Sequence, residues 1–135
     1  MANFHFDLVS PEKLLITGEV EQVDLPGSEG DMGVLANHAP LVTTLRPGII
    51  VVHREGGDMR VVVNGGFAEV GPAGLTVLAD MAVPLEEYDR SLLAAEINDT
   101  EEDVADTTDG WQRDKLARRL QQLKALQEAL SGSRE

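Results

Sequence analysis

Three histidines, His5, His38 and His53, and a scatter of serines are the side chains here with the chemistry of a base beside a nucleophile; the chain has no cysteine. A serine hydrolase holds its nucleophile on a sharp turn beside a base, and no Gly-x-Ser-x-Gly elbow surrounds any of these serines. His5 and Asp7 share one face of any strand they occupy and offer two metal ligands, but no third follows, so an ordinary solvent-facing strand is expected. Gly27, Gly30 and Gly33 have the look of a phosphate cradle. Their spacing fits neither the dinucleotide fingerprint nor the P-loop, no lysine follows, and Glu29 and Asp31 would repel phosphate. The carboxylates at Glu86-Glu87 and Glu101-Glu102-Asp103 read as solvated helix surface rather than a glycosidase pair. His38, just before Ala39-Pro40, has two open readings, a functional loop residue or a histidine bonded to its own turn. No catalytic residue, metal site or cofactor is expected.

The elements that must position these residues change character at Pro84. Eleven of the 13 glycines and all 6 prolines lie at or before it. From residue 26 to 48 they fall at intervals that leave room only for short strands and tight turns. Phe4, Phe6 and Leu8 alternate with His5 and Asp7, the period of a half-buried strand. Further strands are expected at residues 14–17, 19–25, 33–35, 42–45, 49–54, 60–64, 67–70 and 75–79, with Glu55-Gly56-Gly57-Asp58 as a hairpin turn. Nine to ten short strands without room for helical crossovers imply an antiparallel β-sandwich or flattened barrel.

The remainder is rich in helix formers. Leu93, Ile97 and Val104 fall on one helical face, with Leu92 and Tyr88 as a weaker edge. Thr107-Thr108-Asp109-Gly110 interrupts the helix, offering a closing glycine and capping side chains for the next helix. Leu116, Leu120, Leu123, Leu126 and Leu130 then recur at helical spacing. The expected organisation is a sandwich over residues 1–85 and an antiparallel two-helix hairpin over 86–135. The leucine stripe reads as hairpin core first and as an interface for a partner helix second.

A net charge of -13 argues against a nucleic-acid backbone and against anionic lipid as partners. Residues 1–85 net -7, residues 86–110 net -9 and residues 111–135 net +3, so an acidic segment precedes a basic one. No run approaches the roughly 20 apolar residues that cross a bilayer, and the first ten residues lack a signal peptide's charged start. Membrane association is expected to go through a partner, without direct insertion.

Ser10-Pro11-Glu12, Gly18-Glu19-Val20-Glu21, the block from 26 to 48, Gly65-Gly66-Phe67 and Leu78-Ala79-Asp80 occur in the order found in the epsilon subunit of the rotary F-type ATP synthase, bacterial type, which nearly the whole chain resembles. The resemblance implies a non-catalytic central-stalk subunit whose sandwich clasps the gamma subunit and rests on the ring of c subunits, transmitting proton-driven rotation to ATP synthesis. It maps Glu29, Gly30, Asp31 and Met32 to the ring contact and His38 and Thr43 to the gamma contact. It implies a peripheral place on the cytoplasmic face of the bacterial inner membrane. The helices would extend toward the catalytic alpha and beta subunits and oppose ATP hydrolysis; Arg113, Lys115, Arg118, Arg119 and Lys124 ring the second helix, and their two readings are a solvated surface first and an approach to an acidic surface in the extended form second. Some relatives bind ATP through a hydrophobic-Asp-x-x-Arg-Ala motif. Here the matching positions are Tyr88-Asp89-Arg90-Ser91-Leu92-Leu93. Asp89 is kept, but leucines replace the Arg and Ala, so weak or no nucleotide binding is expected. A free-standing sandwich binding module is the alternative; it calls for exposed aromatics, whereas Phe4, Phe6 and Phe67 are patterned as core.

Overall fold

The structure, a computed structural model, describes residues 2–11 and 13–132. Along the chain it divides into two compact units, one ending at Tyr88 and the other beginning at Asp89. The first contains eight strands: β1 (Phe4–Ser10), β2 (Lys13–Val20), β3 (Gln22–Gly27), β4 (Gly30–Leu35), β5 (Leu41–His53), β6 (Met59–Gly71), β7 (Gly74–Ala79) and β8 (Ala82–Pro84). A short 3-10 turn, Leu85–Glu87, follows. Neighbours run in the order β2-β1-β7-β6-β5-β3-β4, with β8 also on β6. All pairs are antiparallel except β1 with β7, where Phe6 lies opposite Leu75.

Two strands are longer than the turn residues suggest. Residues 42–45 and 49–54 fall largely within the single strand β5, and 60–64 and 67–70 within β6, which turns nine expected strands into seven; β8, outside the expected set, makes eight. The two pair in one register from Leu41 opposite Val70 to Val52 opposite Met59. Gly65 and Gly66 bend this ladder instead of ending it, at φ +97° and +128°, where a Cβ is strained. The inward-facing parity changes across them: Val61 and Val63 are in the core before the glycines, Ala68 and Val70 after. Phe67 therefore points outward, 40% exposed, contrary to its expected place in the core.

The bend places one long hairpin in both layers. The first half of β5 and the second half of β6 join β7, β1 and β2; the other halves join β3, β4 and β8. Between the layers lies one core, including Phe6, Leu8, Val23, Leu25, Ile50, Val52, Leu75 and Val77. Each such side chain contributes roughly 1.5–3 kcal/mol on burial.

The second unit consists of α1 (Arg90–Asp106) and α2 (Gly110–Gly132). They run antiparallel, since Arg90 at the start of α1 donates from Nη1 to the Leu130 carbonyl near the end of α2 at 3.0 Å. Leu93 and Ile97 are buried on α1, and Leu123, Leu126 and Leu130 on α2, so the stripe is hairpin core. Asp89 caps α1 by accepting from the Ser91 N–H at 2.9 Å, and Asp109 caps α2 by accepting from the Gln112 N–H at 2.9 Å. Gly110 opens α2 rather than closing α1, which ends at Thr107 in an extended conformation.

Candidate functional site

The acidic turn is a β-hairpin tip seated on the next strand. Gly27 pairs with Gly30, leaving Ser28 and Glu29 at the tip. The Ser28 N–H donates to the Thr44 carbonyl at 2.9 Å, and the Thr44 hydroxyl donates to Ser28 Oγ at 2.7 Å. Arg46 donates to the Gly27 carbonyl and to Asp31 Oδ1. Neutral and charge-assisted bonds therefore tie both ends of the tip to β5. Glu29, Gly30 and Asp31 still face solvent, with the Asp31 side chain 81% exposed. Met32 is half-buried against the core beneath them. The result is a stiff acidic ridge with an apolar base. Ser28, Thr44 and Arg46 do the holding, and no local motif marks them, because their partners lie 15 to 19 residues away.

Thr43 belongs to the same neighbourhood: a Cβ at Gly27 would lie 3.8 Å from both Thr43 Oγ1 and Met32 Sδ. His38 has different surroundings. It follows Asn37, at φ +67°, in the loop after β4; its backbone N–H donates to the Leu35 carbonyl at 3.2 Å and its Nδ1 to the Ala39 carbonyl at 2.7 Å. The turn-bonding reading of His38 thus holds, and its ring also lines a cleft of 460 Å³ with Asn3, His5, Glu19 and Pro40.

His5 and Asp7 lie on the outer face of β1, as their alternation implies. Asp7 Oδ1 accepts from the Thr17 hydroxyl at 2.6 Å and lies 3.0 Å from His5 Nε2, while His5 Nδ1 is 3.6 Å from Glu19. The Thr17 bond, helped by His5, holds the Asp7 carboxyl below the ordinary carboxylate range. Among the described residues no group of three or more His, Cys, Asp or Glu side chains could hold a metal.

On the helices, Asp89 is occupied as a cap. Its Oδ1 accepts from both the hydroxyl and the N–H of Ser91, which lowers its pKa. Leu92 is 65% exposed and Leu93 is buried, so neither position brings a cation to Asp89. The isolated protein is expected to show no ATP binding by titration calorimetry at micromolar concentration; clear micromolar heats would contradict this. Of the five cations on α2, Arg119 pairs with Glu96 at 2.8 Å and Lys124 with Glu101 at 3.2 Å, both on α1. Lys115 lies over the Trp111 ring, 5.5 Å from its centroid. Arg113 and Arg118 are exposed and make no ion pair among the described residues.

The site is thus an acidic hairpin tip on a two-layer sandwich, tied to β5 by Ser28, Thr44 and Arg46. The family model described as ATP synthase, Delta/Epsilon chain, beta-sandwich domain matches residues 3–85. The ATP synthase epsilon chain of Bradyrhizobium sp. (strain BTAi1 / ATCC BAA-1182) is 50% identical over 131 residues, covering 97% of this chain and 96% of that one. That of Parvibaculum lavamentivorans is 54% identical over 123 residues, covering 90% and 93%. A chain in the cryo-EM structure of the Euglena gracilis mitochondrial ATP synthase (OSCP/F1/c-ring, rotational state 1) aligns with TM-score 0.77 at 32% identity, covering 96% of this chain and 82% of its own. The chain belongs to the ATP synthase epsilon-chain family. It is therefore a non-catalytic subunit of the ATP synthase complex. None of its described helices is long and apolar enough to cross a membrane.

Proposed function

We propose that this chain is a central-stalk subunit that couples proton-driven rotation of the c-ring to ATP synthesis, resting on the ring through Glu29, Gly30, Asp31 and Met32 and contacting the gamma subunit near His38 and Thr43. The observation that carries this reading is the seated tip. A rotor contact has to carry torque without slipping, and the bonds from Thr44 and Arg46 stiffen the ridge that would meet the ring. The exposed Asp31 carboxylate and Met32 beneath it supply polar and apolar halves of such a contact. The assembly would lie on the cytoplasmic face of the bacterial inner membrane.

Asp31→Lys is the direct test. It reverses a largely exposed charge and sets it against Arg46. Proton-coupled ATP synthesis in membrane vesicles is expected to fall severalfold, while hydrolysis by the detached catalytic particle stays near normal. Equal loss of both activities would count against the ring contact. Co-purification with a gamma subunit separates this function from a free-standing binding module, which predicts none.

The hairpin is the regulatory part of this proposal. Its pairs Glu96–Arg119 and Glu101–Lys124 occupy two cations, while Arg113, Lys115 and Arg118 remain outward. Extension of α2 toward an acidic surface of the catalytic alpha and beta subunits would exchange the internal pairs for external ones. Exposed pairs contribute only about 0–1 kcal/mol each, so the exchange is near balance and apolar contacts decide it.

A further inference from the structure

His53, the last residue of β5, has a carboxylate on each ring nitrogen. Nε2 lies 2.8 Å from Asp24 Oδ2 on β3, and Nδ1 lies 3.1 Å from Asp58 Oδ2 across the β5–β6 turn. The other Asp24 oxygen accepts from Gln22 Nε2 at 2.6 Å. Gly33 leaves room for that bond, since a Cβ there would come within 3.3 Å of Asp24 Oδ1 and 3.4 Å of Gln22 Nε2. A chain of polar contacts thus runs from β3 through β5 to the start of β6.

An ionised carboxylate only accepts, and a neutral imidazole carries one N–H, so both contacts form together only with the imidazolium. Among the described residues no Lys or Arg pairs with Asp24 or Asp58. The Arg54 side chain reaches Met59 Sδ at 3.6 Å instead. Glu21 and Glu55 are near in the chain and add negative charge, while Arg60 stands in the neighbouring row, opposite Val51, which in turn pairs with Asp24. The two arms differ in stiffness. Asp24 is fixed by Gln22 and by its place in the ladder; Asp58 closes a turn through Gly56 and Gly57, at φ +95° and +127°.

We propose that His53 is a proton-operated latch: charged, it ties the β5–β6 turn to β3, and neutral, it keeps Asp24 but releases Asp58 and loosens the turn. The bond to Asp24, with the charge of Asp58, raises the His53 pKa above the ordinary 6.5 against the opposing effect of burial. A raised folded-state pKa means that the tie is fully present below 6.5 and is lost as pH rises through the higher folded-state value.

The test is a pH titration of the full 15N-labelled chain by NMR, in which three histidines are readily assigned. Both His53 nitrogens are expected to be protonated at low pH and to titrate above 6.5. Through the same midpoint, the Gly57 and Asp58 amides should exchange about two- to fivefold faster than base catalysis alone predicts, the size of one exposed ion pair. Asp58→Ala, a change in an exposed turn, should abolish the step at Gly57 while His53 still titrates; His53→Gln should abolish both. Titration of His53 at or below 6.5, amides indifferent to it, or a step that persists in Asp58→Ala would overturn the latch.

Discussion

Valine in place of Gly66 is expected to destabilise the first unit by more than about 4 kcal/mol. A Cβ at this position would sit 2.3 Å from the Leu78 carbonyl oxygen and 2.8 Å from the Ala79 Cα, both backbone atoms of the paired strand β7. Neither is the end of a flexible side chain. The backbone is also held at φ +128°, which costs a non-glycine residue about 1–3 kcal/mol by itself. Relief requires β7 to move away, which breaks the Gly66–Ala79 and Phe67–Leu78 pairs and opens the core at Val77 and Ala79. A loss above about 4 kcal/mol belongs to this class of defect, against a total stability of about 5–15 kcal/mol. Gly56→Ala provides the contrast: φ is +95° but nothing lies within 4 Å, so only the backbone cost applies. Urea denaturation of the two variants checks this. A Gly66→Val protein with the parent midpoint would contradict the bent β6 ladder.

Ending the chain after Tyr88 is expected to leave the sandwich folded, whereas residues 89–135 alone should lose most of their helix. The core cluster of the first unit is built wholly from strand residues, with none from α1 or α2. The helices in isolation have a few buried apolar side chains and two caps to set against their ordering entropy, and helices in proteins owe most of their stability to packing of an apolar face. Circular dichroism of the two fragments gives the first readout. ATP hydrolysis by synthase assembled with the full-length or shortened chain gives the second. A faster rate with the shortened chain supports inhibition by the helices; an unchanged rate assigns them to packing. Failure of the shortened chain to hold a gamma subunit would reject the division of roles between the units.

What could be read from the sequence was what depends on neighbours in the chain. The alternation through Phe6 and Leu8 places both in the core, and helical spacing does the same for Leu123, Leu126 and Leu130. Glycine and proline mark where the backbone turns, but do not distinguish a bend within a ladder from its end. Hence Gly65-Gly66 divides β6 on paper and only bends it in space, and Phe67 moves from the expected core to the outer face. Gly110 illustrates the same ambiguity at a helix junction: the expected forward cap forms at Asp109, but the glycine opens α2 instead of closing α1. The ridge was legible as an acidic turn, but its seat was not. Arg46 meets Gly27 and Asp31, and His53 meets Asp24 and Asp58, only after distant strands have found their register.

The parallel pairing of β1 with β7 has a consequence for the order of events during synthesis. β1 and β2 can form a hairpin as soon as they emerge, but the other edge of β1 waits for Leu75 to Leu78. Until then that edge of β1 stays unpaired and is available to other chains. Contacts between such distant positions also slow the closing step, because the intervening loop must be ordered first. The first unit therefore cannot fold progressively from its N-terminus: its first strand is completed by nearly its last, and the interval between them is when the nascent chain most needs protection from aggregation.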